Sequence, residues 1–152
     1  MLRVVRKRLD HTTHFAGRFG ATYFITICCV KRGANQLCHE KTSKVLFDTA
    51  RIYHERCRWN VNLLLLMPDH LHALIGIDGR DSLSQLIRDY KRITAKLAGV
   101  QWQRNFFDHR LRRDESLADK FAYISQNPVR ARLIRKEQDW PYAFIPRSEF
   151  RR

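Results

Sequence analysis

Two apolar runs, Val61 to Met67 and His70 to Ile77, are separated only by Pro68-Asp69. A break that short leaves no room for a crossover, so the chain must reverse on itself as an antiparallel hairpin. That constraint decides which side chains share a face. Neighbours on an extended strand alternate sides, so His70 and His72 point the same way while Leu71 points through the sheet. Two imidazoles so placed can serve one divalent ion, because histidine is the commonest metal ligand. On its own the triplet is equally consistent with two hydrogen-bonded structural histidines. A metal role requires a partner elsewhere in the chain.

The flanking segments supply the rest of the architecture. Ala21 to Val30 is β-branched, aromatic or thiol in character and reads as a strand buried on both faces, ended by Lys31-Arg32-Gly33. Lys41 to Trp59 carries Val45, Leu46, Ala50, Ile52, Tyr53 and Cys57 at mostly three- and four-residue spacing, the pattern of an amphipathic helix. After the hairpin, Asp78-Gly79-Arg80 ends a strand, Asp81 or Ser82 can cap a helix from Leu83 to Ala98, and Gly99 stops it. Phe106 to Arg112 reads as a fourth strand. Asp114 or Ser116 then caps a helix running to about Asn127, ended by Pro128, and Val129 to Lys136 reads as one more short helix. The order strand, helix, strand, strand, helix, strand predicts an α+β fold of the ferredoxin-like kind: one antiparallel sheet backed by two helices, with extra C-terminal helices.

Composition narrows the partners. A chain of 152 residues fits a single domain, residues 1–152, with residues 1–20 as a basic N-terminal arm. Its 29 Lys and Arg against 15 Asp and Glu give a formal charge of +14, which attracts polyanions. Nucleic acid leads, because neutralising phosphates releases counterions. Binding to a membrane surface would need a basic amphipathic helix with a full apolar face or a lipid anchor, whereas here the basic residues recur from Arg3 to Arg152. No apolar run reaches membrane-spanning length and the amino terminus lacks a signal core, so a cytoplasmic protein is expected. Cys28, Cys29, Cys38 and Cys57 form no CxxC pair and are expected to be buried thiols. In the arm, Arg3, Arg6, Lys7 and Arg8 are either phosphate contacts or a solvated terminus.

The partner that the histidines require emerges in the last main helix, where Tyr123 and Asn127 are four residues apart and therefore on one face. Leu117, Phe121 and Ile124 form the apolar stripe, which leaves Tyr123 off its centre beside Lys120, itself a candidate DNA-binding residue. Arg88, Lys91, Arg92 and Lys96 share one side of the second helix and are candidates to track phosphates, with Trp102 and Phe106 as candidate base-stacking rings. His109, on the fourth strand beside Asp108, is either a satisfied structural histidine or a contact to DNA or to the metal ligands. His11, His14, His39 and His54 are expected at the surface.

Taken in chain order, YFITICC, MPDHLHALI, LIRDYKRITAKL, WQRNFFDHRLR, YISQNPVRARLI and DWPYAF resemble the single-tyrosine transposases of the HUH nuclease superfamily, where U is a hydrophobic residue. Within it the chain is most similar to the REP-associated tyrosine transposases. The resemblance implies a DNA-nicking and strand-transfer enzyme in which His70 and His72 hold Mg²⁺ or Mn²⁺ and Tyr123 is the nucleophile. Asn127 would be the third ligand, with Gln126 as a substitute because other members use glutamine there. The implied substrate is single-stranded DNA with hairpins, and the long tail favours a monomer over a homodimer. Tyrosine, with a reference pKa near about 10, is a poor nucleophile unless a cation lies close and the target is polarised. An RNA-recognition module of the same pattern would carry aromatics on its central strands, but HLHALIGI has none. An HxHxH phosphoesterase would need histidine at Leu74, and a replication-initiator nickase would carry a helicase region.

Overall fold

The computed structural model describes residues 20–146, so the basic arm lies outside the described residues but for Gly20. In chain order the elements are β1 (Ala21–Cys28), α1 (Glu40–Glu55), β2 (Asn60–Met67), β3 (His70–Ile77), α2 (Leu83–Ala98) and β4 (Phe107–Arg110). Then follow α3 (Leu117–Ser125), the single turn α4 (Asn127–Arg130), a 3₁₀ turn (Glu137–Asp139) and β5 (Ala143–Phe144). The strands form one sheet of order β4-β1-β3-β2-β5, antiparallel throughout. The α+β ferredoxin-like pattern is therefore present, with a fifth strand added at one edge.

The Pro68-Asp69 hairpin sets the register. Met67 pairs with His70 and Leu65 with His72, while on the other side of β3 Cys28 pairs with His70 and Thr26 with His72. Leu71, Ala73 and Ile75 consequently face α1 and α2, where they meet Leu46, Ala50 and Tyr53 of α1 and Leu86, Ile87 and Tyr90 of α2. The Tyr90 hydroxyl donates to the Leu46 carbonyl at 2.8 Å and ties the two helices together. His70, His72 and Leu74 face the other way. There Leu63, Leu65, Met67 and Leu74 enclose Ile124 of α3 in a second, smaller core. Covering on both faces explains why β2 reads as an unbroken apolar run instead of an alternating one. A register shift between Val61 and Leu63 sends the first to the α1/α2 side and the second to the α3 side.

Capping follows the expected chemistry where the side chains permit it. Ser82 accepts from the Gln85 N–H at the start of α2, Ser116 accepts from the Asp119 N–H at the start of α3, and Gly99 ends α2 in the left-handed region at φ 71°. Several boundaries differ from the sequence reading. β1 stops at Cys28 because the backbone N–H of Cys29 turns to the Asp69 carbonyl, and burial on β1 is complete only at Ile25 and Ile27. α1 ends at Glu55, since Cys57 adopts φ 58° and breaks the helical path. Cys57 is therefore exposed, a correction to its expected burial, whereas Cys29 and Cys38 are buried and Cys28 half-buried. Burial pushes the Cys29 thiol up to about 11 and the Cys38 thiol up to about 12, so both stay protonated.

The carboxy-terminal region departs most. Pro128 does not merely stop a helix but opens α4, where its missing N–H costs nothing, and no helix spans Val129 to Lys136 because Arg132 sits at φ 61°. The tail instead returns to the sheet: Trp140 Nε1 donates to the Leu66 carbonyl at 2.9 Å, and Phe144 and Ala143 pair with Leu64 and Leu65. This covers the edge that β2 would otherwise expose. No helix among the described residues is long and apolar enough to cross a membrane.

Ile124 is fully buried and is the residue that seats α3 on the sheet. Ile124→Ala should lower unfolding free energy by about 2–5 kcal/mol in chemical denaturation. A decrease below about 1 kcal/mol would mean that α3 is held by something other than this side chain.

Candidate active site

β3 presents the two imidazoles on the face that α3 covers, with ring centroids 4.8 Å apart and planes at 78°. Each ring is held through Nδ1. Asp69 Oδ1 lies 2.8 Å from His70 Nδ1, and because an ionised carboxylate only accepts, that nitrogen carries a proton and Nε2 is the nitrogen left to face a metal. Thr26 Oγ1 lies 2.9 Å from His72 Nδ1 across the strand pair. Neither Nε2 makes a hydrogen bond among the described residues. Burial, followed by the charges of His70 and Arg130, pushes His72 down to about 3, so its ring is neutral at physiological pH. A neutral ring fixed at Nδ1 with Nε2 open is the form in which histidine binds a metal.

Asp69 is itself held. Its Oδ2 accepts from Arg32 Nε at 2.9 Å and from the Gly33 N–H at 2.7 Å. Gly33 has φ 89°, a conformation that favours glycine and turns its N–H onto the carboxylate. The same turn accepts twice more at the Pro68 carbonyl, from the Gln36 and Leu37 N–H groups. The hairpin that orients His70 is thus clamped to the β1–α1 connection. Arg32 also approaches Cys28 Sγ at 3.1 Å.

Tyr123 projects from α3 with 58% of its surface exposed. Arg130 places its guanidinium carbon 4.1 Å from the centre of the Tyr123 ring, and Lys120 Nζ lies 6.0 Å from it. Lys120 is also 5.5 Å from the Phe24 ring, which in turn lies 5.5 Å from His72. A continuous run of neighbouring side chains therefore joins the imidazole pair to the exposed phenol. Asn127 is reached differently from expectation. α3 ends at Ser125, so Asn127 is no longer on the helix of Tyr123 but opens α4, where its Nδ2 donates to the Ile124 carbonyl at 3.0 Å. Arg130 restores the link, donating to the Tyr123 carbonyl at 2.9 Å and to Asn127 Oδ1 at 3.0 Å. Gln126, the alternative ligand, is turned to Glu137 by a hydrogen bond from its side-chain amide.

The donor set can be judged against a divalent ion. Among the described residues no group of three or more His, Cys, Asp and Glu side chains is placed to hold a metal, so further donors must be amide, water or substrate oxygens. The two imidazoles, each held at Nδ1 with Nε2 open, fit that requirement. The Asn127 carbonyl oxygen, although it accepts from Arg130, has a second lone pair. Such a mixed nitrogen and hard-oxygen set is compatible with Mg²⁺ or Mn²⁺.

The remaining expected residues divide into two places. Arg88, Lys91 and Arg92 line a groove of about 820 Å³ with Trp102, Arg104 and Phe106, on the α2 side of the sheet and so behind the histidines. Lys96 is exposed but does not line it. Trp102 and Phe106 pack partly into the α1/α2 core, and Trp102 Nε1 donates to Thr94 Oγ1 at 2.9 Å. Lys91 donates to the Arg104 carbonyl at 2.8 Å, and burial lowers its pKa. His109 is on the histidine face, opposite Phe24, with its Nε2 3.0 Å from Glu115 Oε1. Glu115 also accepts the Arg112 N–H at 2.6 Å, so His109 braces the loop into α3 instead of either candidate ligand.

Four features were not singled out by sequence reasoning: Arg130, the Arg32–Asp69 pair, Arg104 and the ring of Phe107. Arg130 follows Tyr123 by seven residues, a helical spacing that could have signalled it. Phe107 is 56% exposed on the histidine face and meets Phe24 edge-on at 6.0 Å, but nothing in its sequence distinguishes it from its neighbour Phe106. Arg32 and Asp69 are too far apart in sequence to be paired without the fold.

Comparison with known proteins bears on the family and the fold. The family model described as Transposase IS200 like matches residues 19–135. A REP-associated tyrosine transposase from Escherichia coli is 26% identical over 133 residues, covering 85% of this chain and 79% of the relative. A solved structure of a REP-associated tyrosine transposase bound to a REP hairpin superposes with a TM-score of 0.72 at 23% identity, covering 82% of this chain and 76% of that one.

The Asp69 network predicts a pH response. Burial raises the carboxyl's pKa, but bonds from Arg32, the Gly33 N–H and His70 outweigh it and leave the group far below the ordinary 3.8. A depressed folded-state value stabilises the fold above the unfolded value and loses that contribution as pH falls toward the folded one. Wild type should therefore lose stability to acid more steeply below about pH 4 than Asp69→Asn. Parallel acid-melting curves for the two proteins would exclude the network as a stabilising element.

Proposed function

Because this chain belongs to the IS200-like transposase family, we propose that it is a single-tyrosine transposase that nicks and rejoins single-stranded DNA beside short hairpins. The observation that carries this reading is the exposed Tyr123 on the sheet face where His70 and His72 keep Nε2 open, with Phe24 and Lys120 bridging them. The E. coli relative is a transposase by name, and the solved relative was bound to a REP hairpin; we extend the hairpin substrate to this chain.

In this reading Tyr123 Oη attacks the scissile phosphorus. The Oη–P bond forms and the P–O3′ bond breaks; the phenolic proton passes to solvent and the departing 3′-oxygen takes up a proton. The products are a 5′-phosphotyrosine and a free 3′-hydroxyl. One phosphodiester replaces another, so a second 3′-hydroxyl can reverse the step without ATP. His70 and His72, with Asn127, would hold Mg²⁺ or Mn²⁺, which when bound polarises a non-bridging phosphate oxygen and offsets charge in the transition state. Lys120, between Phe24 and Tyr123, supplies positive charge near the entering strand. Since α3 seats on its own chain's sheet through Ile124, both halves of the site come from one chain, which favours a monomer.

The groove behind the sheet suits the DNA that flanks the cleaved bond. Arg88, Lys91, Arg92 and Arg104 can track phosphates there, Trp102 and Phe106 border it, and at the edge strand β4 Phe106, just before it, lies on the groove side while Phe107, its first residue, faces the histidines. A single strand rounding that edge meets an aromatic on either side. His109 and the exposed Lys96 lie outside the groove and serve this reading as peripheral contacts.

Incubation with Mg²⁺ and a hairpin-bearing single strand taken from the DNA beside the gene should yield a covalent protein–DNA adduct on a denaturing gel. Absence of an adduct with wild type, or an undiminished adduct with Tyr123→Phe, sinks the proposal; stable binding without any adduct would mark a non-catalytic DNA-binding protein. His70→Ala should lose the adduct yet keep salt-sensitive DNA binding. In a separate titration, alanine at Arg88, Lys91 and Arg92 should weaken binding and flatten the salt dependence by about 0.7 in slope for each phosphate that is no longer neutralised. An unchanged slope removes α2 from the interface.

A further inference from the structure

Arg130 is bound on one side only. Its guanidinium stacks over the ring of Tyr123 at 4.1 Å, and the two hydrogen bonds it makes, to the Tyr123 carbonyl and to Asn127 Oδ1, both leave from the same terminal nitrogen. Five N–H donors are available on a guanidinium, so Nε and the other terminal nitrogen retain three without a partner among the described residues. No carboxylate among those residues pairs with it, although Glu137 lies close enough to Gln126, four positions earlier, to bond that side chain. The charge of Arg130 also acts on His72, so the guanidinium on the phenol is within electrostatic reach of the imidazole pair. A planar guanidinium with spare donors, unpaired by acid and resting on a phenol, is placed to give a phosphate oxygen a charge-assisted hydrogen bond.

We propose that Arg130 clamps the scissile phosphate: stacked on Tyr123 and anchored to Asn127, it directs an unspent N–H onto one non-bridging oxygen while the phenol attacks. The inference rests on the tyrosine-transposase reading and adds a residue to it. Anchoring through one nitrogen and stacking on the ring hold the guanidinium plane, so its remaining N–H groups are preorganised where negative charge accumulates on phosphorus. The same anchor fixes the Asn127 amide with its nitrogen toward Ile124 and its oxygen outward to Arg130. Lysine has the charge but no planar group to stack on Tyr123 while bonding Asn127, and should serve poorly.

The test measures single-turnover adduct formation with Mg²⁺ on three versions of one hairpin strand: the natural phosphodiester and the two methylphosphonate isomers at the scissile position, each lacking one non-bridging oxygen. Arg130→Ala should slow the natural strand by about 10²–10³-fold. Arg130→Lys should recover only part of that rate, and it keeps the test open should the alanine variant fold poorly, as judged by its thermal melt. One isomer should slow wild type strongly but slow neither Arg130 variant further, whereas the other should slow all three proteins alike. A purely structural role would not produce that selectivity. If Arg130→Ala forms adduct within about twofold of wild type, or if both isomers slow wild type and variants by equal factors, the clamp is excluded while the transposase reading stands. If wild type forms no adduct with the natural strand, the reading itself falls and the clamp falls with it.

Discussion

The antiparallel seating of β3 between β1 and β2 is the constraint on which the rest depends. Its period of two sends Leu71, Ala73 and Ile75 into the core beneath α1 and α2, and sends His70, His72 and Leu74 to the opposite face. A slip of one residue would bury both imidazoles in the apolar layer beneath α1 and α2 and put Leu71 where the site now lies, so the packing of the core and the placement of the site are one decision. The hairpin that sets this register is short and well fastened. Asp69 is bonded by Arg32, Gly33 and His70 at once, and Pro68 accepts two N–H groups from the β1–α1 connection.

The second organising feature is the small core under α3. Helices α1 and α2 need only cover the sheet, but α3 both covers Leu63, Leu65 and Leu74 and carries an exposed tyrosine at its outer edge. Burial of Ile124 and exposure of Tyr123, adjacent residues on one turn, fix the direction in which the phenol projects. Cations then gather around that ring, Lys120 from the same helix and Arg130 from the turn that follows. Among the described residues no carboxylate pairs with either of them at Tyr123, and the charge of Arg130 adds to burial in keeping His72 neutral. An electropositive face with open imidazole nitrogens is suited to a phosphodiester and poorly suited to a neutral substrate.

Basic charge is spread over both sides of the sheet. The groove beside α2 collects Arg88, Lys91, Arg92 and Arg104, while Lys120 and Arg130 occupy the histidine side. The edge strand β4 separates the two surfaces and is only four residues long. A flexible polyanion can pass around so short an edge, which a rigid duplex lying flat on one face could not do.

Much of this was legible in the sequence because it is governed by local rules. The period of two around Pro68-Asp69 paired His70 with His72, the serine caps placed α2 and α3, and the net charge of +14 pointed to a polyanion before any tertiary neighbour was known. The spacing of Tyr123 and Asn127 predicted their proximity but through the wrong device, since α3 ends before Asn127 and Arg130 bridges the two instead. Local patterning does not register interactions between distant segments. For that reason Arg32 on Asp69, the return of Ala143 and Phe144 to the edge of β2, and the division of Phe106 and Phe107 between opposite faces emerged only with the fold. What the sequence determined by itself was which side chains alternate, cap and carry charge, because those depend on backbone periodicity and chemical type; tertiary structure alone decided which of them meet, because that depends on the register of β3 and on the small apolar core that seats α3 against it.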